Sequence, residues 1–162
     1  MRRPIVLSVT LTAAAALSGL AFASLPLFSP PARIDEFGYV DSVTAKGSGY
    51  VLRFDPALWL EGQTANVAAA EDGAIKPGQS VPDDYWIRDP DHRLLTYKLP
   101  ANAHVTILVN LQTTRISVAT LAKLLRTSKP GGRYELRGPG RRGFWLRYSI
   151  DTGKALDQQY EP

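Results

Sequence analysis

Cysteine is absent from the chain, and histidine is scarce, with His92 and His104 the only two. Without thiols there is no disulfide framework, thiolate zinc site, iron–sulfur centre or cysteine nucleophile. Two histidines exclude a three-histidine metal centre. A phosphate-cradling glycine loop is also missing, because Gly131-Gly132 and Gly138-Pro139-Gly140 lack the strand-to-helix setting and the Lys-Ser/Thr pair. Gly47-Ser48-Gly49 and Gly78-Gln79-Ser80-Val81-Pro82 do not have the spacing of a nucleophile elbow and read as turns. Repeats and low-complexity tracts are absent, and seven tyrosines, five phenylalanines and three tryptophans exclude a disordered or collagen-like chain. What remains is 162 residues of ordinary apolar content, one domain's worth.

The N-terminus has the layout of an export signal. Met1-Arg2-Arg3 is positive, Ile5 to Ala23 carries no charge, and Ala21-Phe22-Ala23 is a small-x-small cleavage motif before Ser24. Residues 1–23 are therefore expected to be a signal peptide cleaved after Ala23, giving a secreted or extracytoplasmic protein. The competing reading is an N-terminal membrane anchor over Ile5–Phe28; Ser8, Thr10, Thr12, Ser18 and the cleavage motif favour removal. A lipid anchor on cysteine is excluded, and Arg2-Arg3 fits a plain positive n-region better than a twin-arginine signal. Residues 24–36 follow as a Pro-rich linker, and residues 37–162 as a single globular domain held by packing alone.

Strand signals dominate that domain. The runs 37–43 and 50–54 flank Lys46-Gly47-Ser48-Gly49 as a hairpin. Asp55-Pro56 predicts a short helix over Pro56–Glu61, and Thr64 caps a second over Ala65–Asp72 stopped by Gly73. Strands are expected at Asp84–Arg88, Leu94–Leu99 and His104–Val109. Adjacent Tyr85 and Trp86 cannot both face inward on a strand, so one is expected to be exposed or to lie under the Pro77–Pro82 loop. Ser117 caps a helix whose Val118, Leu121, Leu124 and Leu125 share one face. Phe144–Ile150 alternates as a strand, and Asp151 precedes a last short helix near Lys154–Tyr160. The fold class is mainly β (α+β): a small antiparallel, partly closed barrel of about six strands with short peripheral helices. By analogy it is like an oligonucleotide/oligosaccharide-type barrel, an analogy without functional content.

Charge is strongly segregated. Residues 24–91 carry eleven acids against five bases, whereas residues 92–162 carry four acids against twelve bases. Removing the leader's two arginines lowers the formal charge from +4 to +2, which hides a −6 half and a +8 half. The bases Lys123, Arg126, Lys129, Arg133, Arg137, Arg141, Arg142 and Arg147 are interrupted only by Glu135 and interleaved with Tyr134, Phe144, Trp145 and Tyr148. Guanidinium forks beside aromatic faces suit a phosphate- or carboxylate-bearing partner; against this stands pairing between the two halves, or plain solvation. Candidate ligand-binding residues are Arg137, Arg141, Arg142, Arg147 and Trp145, with Asp84, Tyr85 and Arg88 as a second group. The expected partners are an anionic cell-wall polymer, a lipid head group or a protein; nucleic acid is not expected outside the membrane, and the chain is expected to be monomeric.

Catalytic constellations are thin. Asp89, Asp91 and His92, with Asp83-Asp84 before them, are close enough in sequence to share a cation, but Pro90 explains the local pattern as a turn. No catalytic residue, metal or cofactor is assigned. The leading function is an exported, non-enzymatic binding domain. The alternative is an envelope polysaccharide hydrolase using Asp84 and a second carboxylate.

Three phrases carry a resemblance: Phe54-Asp55-Pro56-Ala57-Leu58-Trp59-Leu60-Glu61-Gly62 with Thr64-Ala65; Val81-Pro82-x-Asp84-Tyr85-x-Ile87-Arg88; and Leu156-Asp157-Gln158-Gln159-Tyr160-x-Pro162. The chain resembles small secreted proteins of high-GC Gram-positive bacteria, over most of residues 37–162. The resemblance implies export and an independent domain, and brings no activity or site residue with it. Asp83 stands where those proteins have Asn before the Asp-Tyr pair.

The leader is directly testable. Intact mass of the protein recovered from the medium of an exporting host is expected to match a chain starting at Ser24; a membrane-bound chain retaining residue 1 contradicts cleavage.

Overall fold

The first strand, β1 (Ile34–Lys46), turns at Gly47, whose φ of 59° suits a tight hairpin, into β2 (Gly49–Pro56). The computed structural model describes residues 34–129, 133–134, 136 and 142–161. Then come β3 (Leu58–Glu61), α1 (Gly62–Glu71), β4 (Tyr85–Arg88), β5 (Leu95–Pro100), β6 (His104–Val109), β7 (Gln112–Ile116), α2 (Val118–Thr127), β8 (Gly143–Ser149) and β9 (Thr152–Gln158). The protein is mainly β, with nine strands among the described residues rather than about six. None of its described helices is long and apolar enough to cross a membrane.

Seven strands form one sheet in the order β5-β2-β1-β8-β9-β6-β7, antiparallel except where β9 runs parallel to β6 and β5. The β5–β9 contact is a single pair, Lys98 with Thr152, and it turns five strands into a partial ring. Leu52, Phe54, Leu99, Val105, Leu146 and Leu156 fill the interior. Helix α2 closes it with Val118, Leu121, Ala122 and Leu125, the face expected from the spacing except that Ala122 is buried and Leu124 only half-buried. The Ser117 hydroxyl accepts from the Thr120 N–H as the expected cap.

Two expected helices are strands. Residues 56–61 stay extended because the Ala57 N–H donates to the Phe37 carbonyl and Pro56 sits opposite Gly38. Asp55, read as a cap, is instead 3% exposed at the end of β2. From Leu58 the chain pairs with β4 as a separate two-stranded sheet. Residues 152–158 form β9 because a slot lies open between β8 and β6; Leu146 and Leu156 sit opposite each other in it. Asp151 holds Lys98 and Thr152 with its carboxylate rather than capping a helix. Strand β7 escaped detection because Gln112 to Arg115 are all exposed on the sheet's edge and show no alternation. Helix α1 starts earlier than expected, with no side-chain cap; the Gly62 N–H donates to the Asp84 carbonyl instead.

Trp59 and its neighbours dock the small sheet on the large one. The Trp59 ring lies 5.0 Å from Phe37 and 6.3 Å from Trp145. On the other face, Leu60 and Trp86 pack with Ala65, Ala69 and Val81. Tyr85 and Trp86 are therefore both half-buried, because the small sheet is covered on both faces.

Position 38 leaves no room for a side chain between β1 and β2. A Cβ there would lie 2.8 Å from the Pro56 Cα and 2.9 Å from the Phe54 ring, and closer still to the Asp55 carbonyl oxygen. Gly38→Ala is expected to lower unfolding stability by about 1–3 kcal/mol, measured by denaturant unfolding; an unchanged midpoint contradicts the packing.

Candidate functional site

The two groups of candidate residues have separate fates. Asp84 is exposed at the start of β4 in the left-handed region, φ 58°, and its carbonyl is tied to Gly62. Tyr85 turns away from it and stacks on Trp59, ring centroids 4.3 Å apart and 4° from parallel. Desolvation, and then the Glu161 carboxylate, push the Tyr85 hydroxyl above its ordinary value.

Arg88 points to the opposite face of β4 and clamps the end of α1. Its guanidinium donates to both Asp72 oxygens at 2.8 and 3.0 Å, to Glu71 at 3.0 Å and to the Ala68 carbonyl at 2.8 Å. A cation and a donor at a helix C-terminus meet both the dipole and the last carbonyls. Trp86 Nε1 adds a bond to Asp72 at 2.8 Å. The Arg88 hydrogen bonds and then that of Trp86 hold the Asp72 carboxyl below the usual aspartate value. Asp84, Tyr85 and Arg88 thus do not converge: Tyr85 faces Trp59 and Arg88 faces the end of α1.

Among the basic residues, Arg137 and Arg141 lie outside the described residues. Arg147 on β8 donates to the Asp157 carboxylate of β9, which also accepts from Thr106 at 2.7 Å. Trp145 Nε1 donates to Gln159 at 2.8 Å, and its ring packs 5.4 Å from Phe37. Both side chains tie β8 to the end of the chain. Arg142 sits just before β8 and donates to the Glu161 carbonyl at 3.1 Å, while the Glu161 carboxylate accepts from the Gly143 N–H at 2.8 Å.

Arg142 nonetheless borders a concavity of about 290 Å³ together with Arg133, Asn110, Leu111, Gln158, Tyr160 and one acid, Glu161. Arg133 stands beside Tyr134, its guanidinium carbon 5.6 Å from the ring centre. Leu111 and Tyr160 are exposed. The floor comes from the β6–β7 turn, whose Asn110 and Leu111 both adopt positive φ, 51° and 64°. Sequence reading found the arginines but missed this floor, since β7 itself carries no pattern. The only local clue was Asn110, a residue that tolerates the left-handed turn.

A second constellation was also missed. Asp55, Asp89 and His92 place one ligand atom each within 4.8 Å of one another. His92 Nδ1 lies 3.2 Å from Asp89 and 3.5 Å from Asp55. Asp55 replaces Asp91 in the set considered from sequence because β2 ends against the loop after β4. These three are the residues that could hold a divalent cation.

No protein-family model, curated protein or solved structure matches the chain. Two of the phrases that carry the resemblance do meet in space: Leu58–Glu61 pairs with Tyr85–Arg88, residue for residue.

The clamp at α1 predicts a pH dependence. A carboxyl with a depressed folded value contributes stability above its unfolded value and loses it as pH falls through the folded one. Arg88→Gln is expected to melt below wild type at neutral pH, and the gap to narrow in acid as Asp72 protonates in both proteins. A gap of constant size down to about pH 2 contradicts the pairing.

Proposed function

We propose that the chain is an exported, non-enzymatic domain that binds a phosphate- or carboxylate-bearing partner of the cell envelope through its basic C-terminal half. One observation carries the reading: Arg133 and Arg142, far apart in sequence from Asn110 and Leu111, border a single concavity with them and with Tyr160. Two guanidinium groups supply forked donors for oxyanions, and the exposed Leu111 and Tyr160 supply apolar contact beside them. Export rests on the leader. The curled sheet is compatible with the oligonucleotide/oligosaccharide-barrel analogy, which says nothing about the ligand. Arg147 and Arg88 support the reading less, because each is occupied by carboxylates of the domain itself.

Binding to immobilised polyphosphate, and to vesicles of phosphatidylglycerol against phosphatidylcholine, tests the proposal. Affinity is expected to drop steeply as salt rises, since the Debye length falls from about 10 Å at 0.1 M to about 3 Å at 1 M. Each of Arg133→Ala and Arg142→Ala is expected to weaken binding about fivefold, the equivalent of about 1 kcal/mol. Salt-independent binding, or equal binding by the double variant, overturns it.

A further inference from the structure

The partial ring closes at only one residue pair, Lys98 with Thr152, and a cavity of about 870 Å³ opens along that seam. Both observations have one cause. Strand β5 is covered by β2 along its whole length on one side, from Gly49–Pro100 to Phe54–Leu95. On the other side it meets β9 only where the Lys98 N–H donates to the Asp151 carbonyl at 2.8 Å. The β1–β2 turn, the β5–β6 turn and the start of β9 form the walls. This cavity is separate from the arginine-lined concavity and shares no residue with it.

Its chemistry is that of a ligand site: mostly carbon walls with a few convergent polar groups, in the usual size range of about 300–1,000 Å³. Tyr50, Val51, Leu99 and Pro100 contribute apolar surface. Two cations, Lys46 and Lys98, border it with one acid, Asp151, so its charge is positive. Lys98 already holds Asp151 at 2.6 Å, which places an ammonium at the cavity edge. The residue before that acid, Ile150, is 79% exposed and held at φ 57°, a conformation β-branched side chains rarely adopt. Apolar surface is therefore also presented on the same turn.

We propose that the seam cavity binds an anionic amphiphile, a single carboxylate on an unbranched apolar body, with Lys46 and Lys98 holding the carboxylate. The apolar wall excludes a purely polar anion, and the two lysines exclude a cationic amphiphile. Asp151 is then a competitor: the ligand carboxylate and Asp151 seek the same ammonium. That competition separates ligand recognition from mere adhesion to an apolar surface.

The test uses the full-length ¹⁵N-labelled chain titrated with decanoate below its micelle threshold, with decanol and decyltrimethylammonium as matched neutral and cationic probes. Decanoate is expected to move the Val51, Thr96 and Thr152 amide signals saturably, and the other two to bind at least about tenfold more weakly, the scale of one charge-assisted hydrogen bond. Lys98→Met and Lys46→Met are expected to weaken decanoate, whereas Asp151→Asn is expected to tighten it. Both lysines are solvent-facing, so folding is not at stake, and the three-probe comparison needs no variant. Equal binding of decanol and decanoate, no saturable movement at those amides, or weaker decanoate binding by Asp151→Asn overturns the assignment.

Discussion

One aromatic ring over one glycine holds the two parts of this fold in register. The Phe37 ring lies where a side chain at position 143 would be, so a Cβ on Gly143 meets it directly. With nothing between them, β1 and β8 pair from Ile34–Tyr148 to Tyr39–Gly143, and Phe37 remains free to face Trp59 and Trp145. Trp59 anchors β3, Tyr85 stacks on Trp59, and β4 then delivers Arg88 to the end of α1. Remove the ring-on-glycine contact and the small sheet has no apolar seat. The aromatic cluster contributes through area, since each large ring buries about 150–250 Å².

The acidic and basic halves meet only in part. Within the basic half, Arg147 is neutralised by Asp157, Lys98 by Asp151, and Arg142 is drawn to the Glu161 carbonyl. Within the acidic half, Arg88 neutralises Glu71 and Asp72. The Lys and Arg ion pairs described are thus made inside each half, whereas His92 reaches across to Asp55 and Asp89. Segregation along the chain survives as segregation in space at the concavity bordered by Arg133 and Arg142.

Legibility followed the range of the forces involved. The β1–β2 hairpin, β6 and α2 were readable because a turn glycine, an apolar alternation or a cap with an apolar stripe lies within a few residues. Asp55-Pro56-Ala57-Leu58 looks like a helix start by the same local logic, and the logic fails there. The partner that decides the matter, Tyr85–Arg88, is more than twenty residues away. Lys154–Tyr160 fails similarly: its mixed polarity suits an amphipathic turn until β6 and β8 flank it and bury Ala155 and Leu156. Of the site residues, the arginines were visible as composition, and their partners were not. Nothing local in Asn110-Leu111 or Glu161 marks them as neighbours of Arg142.

The sequence by itself determined the class of the protein: a β-rich, cysteine-free chain with its bases gathered late. These are properties of composition and of short windows, and short windows govern propensity, capping and turn geometry. Tertiary structure alone decided which strands close the ring, which arginines are spent on internal carboxylates and where the two concavities lie. Those outcomes depend on pairings between distant segments, such as Lys98 with Thr152. Such pairings are stabilised by the burial that they jointly create, and no single segment encodes that burial alone.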